Sequence, residues 1–358
     1  MRRSGCVFSR HRASSGRHGS PETDGCEIGA MIDAILLIIG IALLIAGGDF
    51  LVRGASSLAG VLGISPLIIG LTIVAFGTSA PELAVNAAAA LRGSTDLSFG
   101  NIIGSNIANI GLILGIAALM SPLKVQSTVI VREIPMMLLA TSAALVMGCD
   151  RVLRSEGNTF DRSDSLVLLL FFCVFIFYNI AQALKDKKPD LYLAETSESA
   201  EAKEIRTILV PAVMTIGGLI LLVSAGRLTV SSATEVARAL HVSEAFIGLF
   251  IVAVGTSLPE LVTTVIASVR SQSDLAIGNV VGSNIFNLLF IMGVTAAIRP
   301  VPLPAQGIAD LLVMAALSFV LLPIAASGRR TITRLEGAFL IAFYVLFIIG
   351  RGWMSVLT

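Results

Sequence analysis

Charged residues are scarce in this sequence. Only 14% of its 358 residues are Asp, Glu, Lys or Arg, against about 25% in a soluble globular domain. With 55% hydrophobic residues and a mean hydropathy of +0.89, an ordinary soluble fold and a disordered chain are both excluded. The net charge is +1 and no basic block is long enough to track phosphates, which excludes a nucleic-acid binder. Cysteine is thin as well. Cys6, Cys26, Cys149 and Cys173 make no CxxC and no His-paired spacing, so neither a disulfide framework nor a zinc site is indicated. The three histidines, His11, His18 and His241, are scattered, which argues against histidine-based metal chemistry. Strand-like alternation is also missing. The apolar runs are continuous, which disfavours a transmembrane β-barrel. What remains is a polytopic helical membrane protein, each span needing ~20 mostly apolar residues.

Residues 1–30 stand apart. They are rich in Ser, Gly and Arg, with no apolar period and no signal-peptide core. They read as a disordered tail, or as an extension ahead of a start at Met31. Beyond them, helices are expected near 33–59, 64–91, 98–119, 125–147, 163–184, 206–238, 242–270, 276–298, 304–326 and 332–352. The stretch 185–205 carries mixed charges and Pro189, and reads as a solvated linker. It divides a first five-helix repeat, 31–184, from a second, 206–358.

The halves repeat each other. Residues 64–109 align with 242–287 without a gap, and 24 of the 46 positions are identical. Shared hydrophobicity accounts for matches at Ile, Val and Ala. It does not account for two copies of GTS-x-PE and of GN-x-x-GSNI-x-N. With an odd number of helices per repeat, the second half enters the membrane from the opposite side. The expected fold is therefore all-α, with ten transmembrane helices in two inverted five-helix repeats. Secondary transporters are built this way, with the site near the midplane at the repeat interface.

Glu82 and Glu260 are repeat mates, each well inside an apolar helix. A charge there costs roughly 2.5–3.5 kcal/mol on insertion scales. One such glutamate could be a protonated acid hydrogen-bonded between helices; a symmetric pair in one motif points to function. Pro81 and Pro259 lack an N–H and crowd the carbonyls of Gly77 and Gly255, so each helix should break and free carbonyls. Thr78, Ser79, Thr256 and Ser257 add hydroxyls one turn away. Ser105 and Asn109 share a helix face, as do Ser283 and Asn287. All of these are hard oxygens, which suit Ca²⁺. Asn101, Asn106, Asn279 and Asn284 read as caps or interhelical hydrogen bonders.

On these motifs the sequence resembles the sodium/calcium exchanger family of the calcium/cation antiporter superfamily, particularly its prokaryotic members. The resemblance covers residues 31–358. It implies four ion sites between the second, third, seventh and eighth helices, with long first and sixth helices sliding past them. The ligands it implies are Glu82, Glu260, Thr78, Thr256, Ser79, Ser257, Ser105, Ser283 and Asn109, with the backbone carbonyls of Ala75 and Ala253. One position departs: some members carry Asp where this chain has Asn287, so the site holds two carboxylates. The implied function is exchange of Ca²⁺ for Na⁺ across the membrane, the ions being cargo and no cofactor being needed. The implied setting is a lipid bilayer, a bacterial inner membrane, with no nucleic acid and no obligate protein partner.

The rival readings are H⁺/Ca²⁺ exchange, a cation channel and an intramembrane hydrolase. For the last, no His or Lys base lies near Ser79 or Ser257 and no GxSxG elbow exists. Leaving out residues 1–30, cationic residues divide twelve to eight between the two sides, the twelve falling on the side of the 185–205 linker. That side is expected to be cytoplasmic, with both termini outside.

Overall fold

The structure, a computed structural model, describes residues 21–150, 157–186, 198–240, 242, 255–327 and 329–357. Its helices are α1 (Pro21–Leu62), α2 (Pro66–Thr78), α3 (Ala80–Arg92), α4 (Thr95–Met120), α5 (Val129–Met147), α6 (Arg162–Asp186), α7 (Glu198–Ala239), α8 (Leu258–Val269), α9 (Ser273–Ile298), α10 (Gly307–Ala326) and α11 (Arg334–Leu357). Among the described residues, eight are long and apolar enough to cross a membrane: α1, α4, α5, α6, α7, α9, α10 and α11. Counted as one bent span, α2 and α3 make a ninth. The first part of the helix expected at 242–270 falls on residues 243–254, outside the described ones, and α8 is its remainder.

Two boundaries differ from the sequence expectation. α1 begins at Pro21, so residues 21–30, expected in the polar tail, belong to a helix. A proline at the first helical position, with Glu22 and Asp24 behind it, suits a helix N-terminus. α7 begins at Glu198 and so takes in the end of the 185–205 linker. The stretch Glu198–Arg206 has no Gly or Pro and is mostly Glu and Ala with Lys203 and Arg206, all strong helix formers. Residues 1–20 and 187–197 lie outside the described residues.

The helix breaks fall at the prolines. Ser79 has a ψ of 3°, Pro81 follows with no N–H to donate, and α2 and α3 are bent by 44°. In the second copy Ser257 has a ψ of 8°, again just ahead of a proline, Pro259.

α1 and α7 run antiparallel in close contact. A Cβ on Gly47 would come 2.9 Å from the Leu222 nitrogen, and one on Gly218 would come 2.5 Å from that of Leu51. Glycine lets the two backbones touch, which drives helix association where lipid is as apolar as leucine. Gly218→Val is expected to force the pair apart and cost about 1–3 kcal/mol of stability, the usual penalty of overpacking. A melting midpoint in detergent equal to the parent's would show that the helices are not held at this contact.

The inner pair is α4 and α9, in whose most apolar stretches 78% of the residues are buried, against 17% and 11% in those of α6 and α11, which face outward. α4 and α9 each contain one π-helical turn, Asn109–Leu114 and Phe286–Ile291. Two small antiparallel ribbons join the halves. β1 (Leu123–Lys124) pairs with β4 (Thr331–Ile332), and β2 (Thr159–Phe160) pairs with β3 (Val301–Pro302). Each ribbon takes one strand from each half of the chain.

Candidate functional site

Each GTS-x-PE copy places its glutamate in the first turn of the helix that restarts after the break, Glu82 in α3 and Glu260 in α8. Their relative exposures are 1% and 2%. A first-turn carboxylate lies near unpaired backbone N–H groups and the positive end of the helix dipole, which offsets part of the burial cost.

The two halves interlock at these carboxylates. Ser79 Oγ donates to Glu260 Oε1 at 3.0 Å, and Ser257 Oγ donates to Glu82 Oε1 at 3.3 Å. Ser257 Oγ also lies 3.2 Å from Ser105 Oγ. Each carboxylate is therefore held by a serine of the other half, and Glu82 Oε2 and Glu260 Oε2 have no protein partner.

The inner helices supply amides. Asn109 Nδ2 donates to Asn284 Oδ1 at 2.9 Å, and Asn287 Nδ2 donates to Asn106 Oδ1 at 3.1 Å. These bonds engage the nitrogens of Asn109 and Asn287 and leave both Oδ1 atoms buried without a partner. Asn109 opens the π turn of α4, and Asn287 is the second residue of that in α9. π turns recur at functional sites because the widened turn re-aims side chains. Ser283 Oγ, on α9, is likewise buried without a partner.

The threonines sit beside asparagines of the opposite half. Thr78 Oγ1 lies 3.2 Å from Asn279 Oδ1 and 3.3 Å from the Ala75 carbonyl, and Thr256 Oγ1 accepts from Asn101 Nδ2 at 3.2 Å. The Ala75 carbonyl also accepts the Ser79 N–H at 3.0 Å, so it is not among the unpartnered oxygens. Ala253 lies outside the described residues. Asn101, Asn106, Asn279 and Asn284 all bond between helices, as their sequence reading allowed. Asn86 and Thr264 had no sequence signal, being single polar positions that differ between the two copies. Asn86 Nδ2 donates to Asn101 Oδ1 at 2.8 Å, and Asn279 Nδ2 donates to Thr264 Oγ1 at 3.0 Å.

Among the other buried acids, two are paired with arginines. Glu133 on α5 is bonded by Arg132 Nε at 2.6 Å, and Asp310 on α10 by Arg351 Nη2 at 2.8 Å. Each has its own cation, which sets them apart from Glu82 and Glu260. Among the described residues no three His, Cys, Asp or Glu side chains converge as for a resident metal. The site instead combines two carboxylates with neutral hard oxygens, enough charge for one divalent cation and few enough anions to release it.

The family model for the sodium/calcium exchanger protein matches residues 32–181 and 210–353. The chain belongs to the sodium/calcium exchanger family. Members of this family are transporters, so the protein is an integral membrane transporter and not an enzyme. Similar proteins include the sodium/calcium exchanger MaX1 of Methanosarcina acetivorans, 32% identical over 89% of this chain and 98% of its own. The inner membrane protein YrbG of Escherichia coli is 35% identical over 91% of this chain and 98% of its own. The solved structure of the sodium-calcium exchanger NCX_Mj superposes with a TM-score of 0.76 at 32% identity, covering 89% of this chain and 99% of that one. This member of the exchanger family thus shares the NCX_Mj fold.

Proposed function

We propose that the protein is a secondary antiporter that exchanges Ca²⁺ for Na⁺ by opening one midplane site to each side of the membrane in turn. The observation that carries this reading is the pair of buried carboxylates, one from each half, each gripped by a serine of the other half and each with one free oxygen. Two carboxylates neutralise one Ca²⁺. Na⁺ uses the same oxygens, so the ions compete for the site, and alternating access turns that competition into exchange. The ligands are Glu82, Glu260, Thr78, Thr256, Ser79, Ser257, Ser105, Ser283, Asn109 and Asn287, with the carbonyls of Ala75 and Ala253. Membership of the exchanger family supports the choice of ions.

The chain crosses the membrane ten times in this reading, with α2 and α3 forming one span and α8 the end of another. The antiparallel contact of α1 with its repeat mate α7 supports two inverted halves. With residues 1–30 left out, the excess of Lys and Arg on the linker side supports a cytoplasmic linker and both termini outside; with them counted, the other side holds thirteen against twelve. The likeness to YrbG supports a bacterial inner membrane. The test is Ca²⁺ uptake into inverted vesicles under an imposed Na⁺ gradient and, separately, a pH gradient. Uptake driven by Na⁺ alone is expected. Uptake driven only by pH would make H⁺ the counter-ion, and downhill flux with no coupling would mean a channel.

A further inference from the structure

The two copies of the site carry the same motifs, yet their hydrogen-bond polarity differs. In the first half, Asn86 is wholly buried and its Nδ2 donates to the Glu82 carbonyl at 2.7 Å. An amide that faces a carbonyl must present its nitrogen. The same Nδ2 reaches Asn101 at 2.8 Å, and two nitrogens cannot pair there, so Asn101 must turn its Oδ1 to Asn86. The Asn101 N–H is thereby aimed at Thr256 Oγ1, 3.2 Å away. Asn86 Oδ1 has no partner, so nothing on its other side favours the reverse arrangement.

The second half has Thr264 at the position of Asn86. A hydroxyl can give or take a proton. Asn279 itself therefore faces the Glu260 carbonyl, at 3.4 Å, presents its Nδ2 there and to Thr264 Oγ1, at 3.0 Å, and leaves its Oδ1 for Thr78, at 3.2 Å. The asparagine pair Asn101 and Asn279 thus shows opposite ends of its dipole to the two threonines. Thr78 meets a carbonyl oxygen and keeps its lone pairs for a cation. Thr256 meets an N–H, which occupies a lone pair and sets a positive dipole end beside it.

We infer that Asn86 is a positioning residue that makes the halves of the site electrically unequal, so that a cation is held more tightly at the Thr78–Glu260 end than at the Thr256–Glu82 end. This inference rests on the proposed cation site. It is tested by titrating CaCl₂ and, separately, NaCl into the purified full-length protein by calorimetry. Thr78→Val should weaken Ca²⁺ binding roughly tenfold, about the value of one hydrogen-bond-strength contact to a charged group, and Thr256→Val by less than about twofold. Asn86→Thr gives the first half the residue of the second and frees Asn101 to turn its oxygen inward. In that background Thr256→Val should now cost roughly tenfold. A Thr256→Val effect equal in both backgrounds, or as large as that of Thr78→Val in the parent, overturns the inference. A merely structural role for Asn86 would lower the melting midpoint without changing this ranking.

Thr264→Asn is the converse variant and keeps the inference testable where Asn86→Thr does not fold. Placed as Asn86 is, the new amide takes the Glu260 carbonyl from Asn279 and should turn the Asn279 N–H toward Thr78, lowering Ca²⁺ affinity roughly tenfold, with Thr78→Val adding no further loss. Unchanged affinity in Thr264→Asn also overturns the inference. A parent that binds neither cation refutes the transport reading along with it, whereas a parent that binds both without the ranking refutes the inference alone.

Discussion

Glu82→Gln and Glu260→Gln are each expected to abolish Na⁺-driven Ca²⁺ uptake, with a loss of more than about a hundredfold. Two unit charges about 4 Å apart at an effective dielectric of about 20 interact by about 4 kcal/mol, and a divalent ion doubles that. Losing one of two carboxylates therefore outweighs the hundredfold that the prediction asks for. The amide keeps an oxygen where Ser257 or Ser79 donates, at 3.3 Å and 3.0 Å in the parent, so the packing between the halves is retained. The check is uptake in proteoliposomes, with melting in detergent as the control for folding. Exchange at the parent rate in either variant would remove the basis for the proposed function.

The second large effect concerns residues that need not touch the ion. Asn106 and Asn284 take the N–H groups of Asn287 and Asn109 and so leave two buried amide oxygens unpartnered, the oxygens that the proposed function gives to the ion. The double variant Asn106→Leu, Asn284→Leu leaves two buried N–H groups unpaired, each costing about 1–3 kcal/mol. It also frees Asn109 and Asn287 to rotate their oxygens away. Ca²⁺ affinity should drop by roughly thirtyfold, since a hydrogen bond to a charged group is worth about 1.5–3 kcal/mol and two oxygens are released in part. Calorimetry on the purified variant reads this directly. Normal affinity with lowered thermal stability would mean that Asn109 and Asn287 serve packing alone.

Much of this architecture is legible in the sequence because the membrane imposes it. Long apolar runs announce spans, and the GTS-x-PE motif announces a break, as at Ser79, whereas Pro211 and Pro323 stay inside continuous helices. Glu82 and Glu260 stand out since buried charge in hydrocarbon is costly. Other features leave no periodic trace. A π turn inserts one residue into a helix whose residues are nearly all apolar, so the turns at Asn109 and Phe286 do not disturb any pattern. The exchange of partners between halves, Ser79 with Glu260 and Ser257 with Glu82, is set by packing across more than a hundred residues of chain. Asn86 and Thr264 are silent for a different reason: each is a single polar residue whose effect is exerted through a neighbour's orientation. Nor does any sequence pattern show that Asp310 is met by Arg351, 41 residues further on.

The crossing of partners between halves has a consequence in time. Ser257 follows Glu82 by 175 residues. At the usual pace of synthesis, about 5–20 residues per second, Glu82 emerges roughly 10–35 s before the serine that holds it. Through that interval the first half resides in the bilayer with its carboxylate, its π-turn amide and its ribbon strands unpaired. Biogenesis therefore includes a waiting state, a half-built transporter with a raw polar seam.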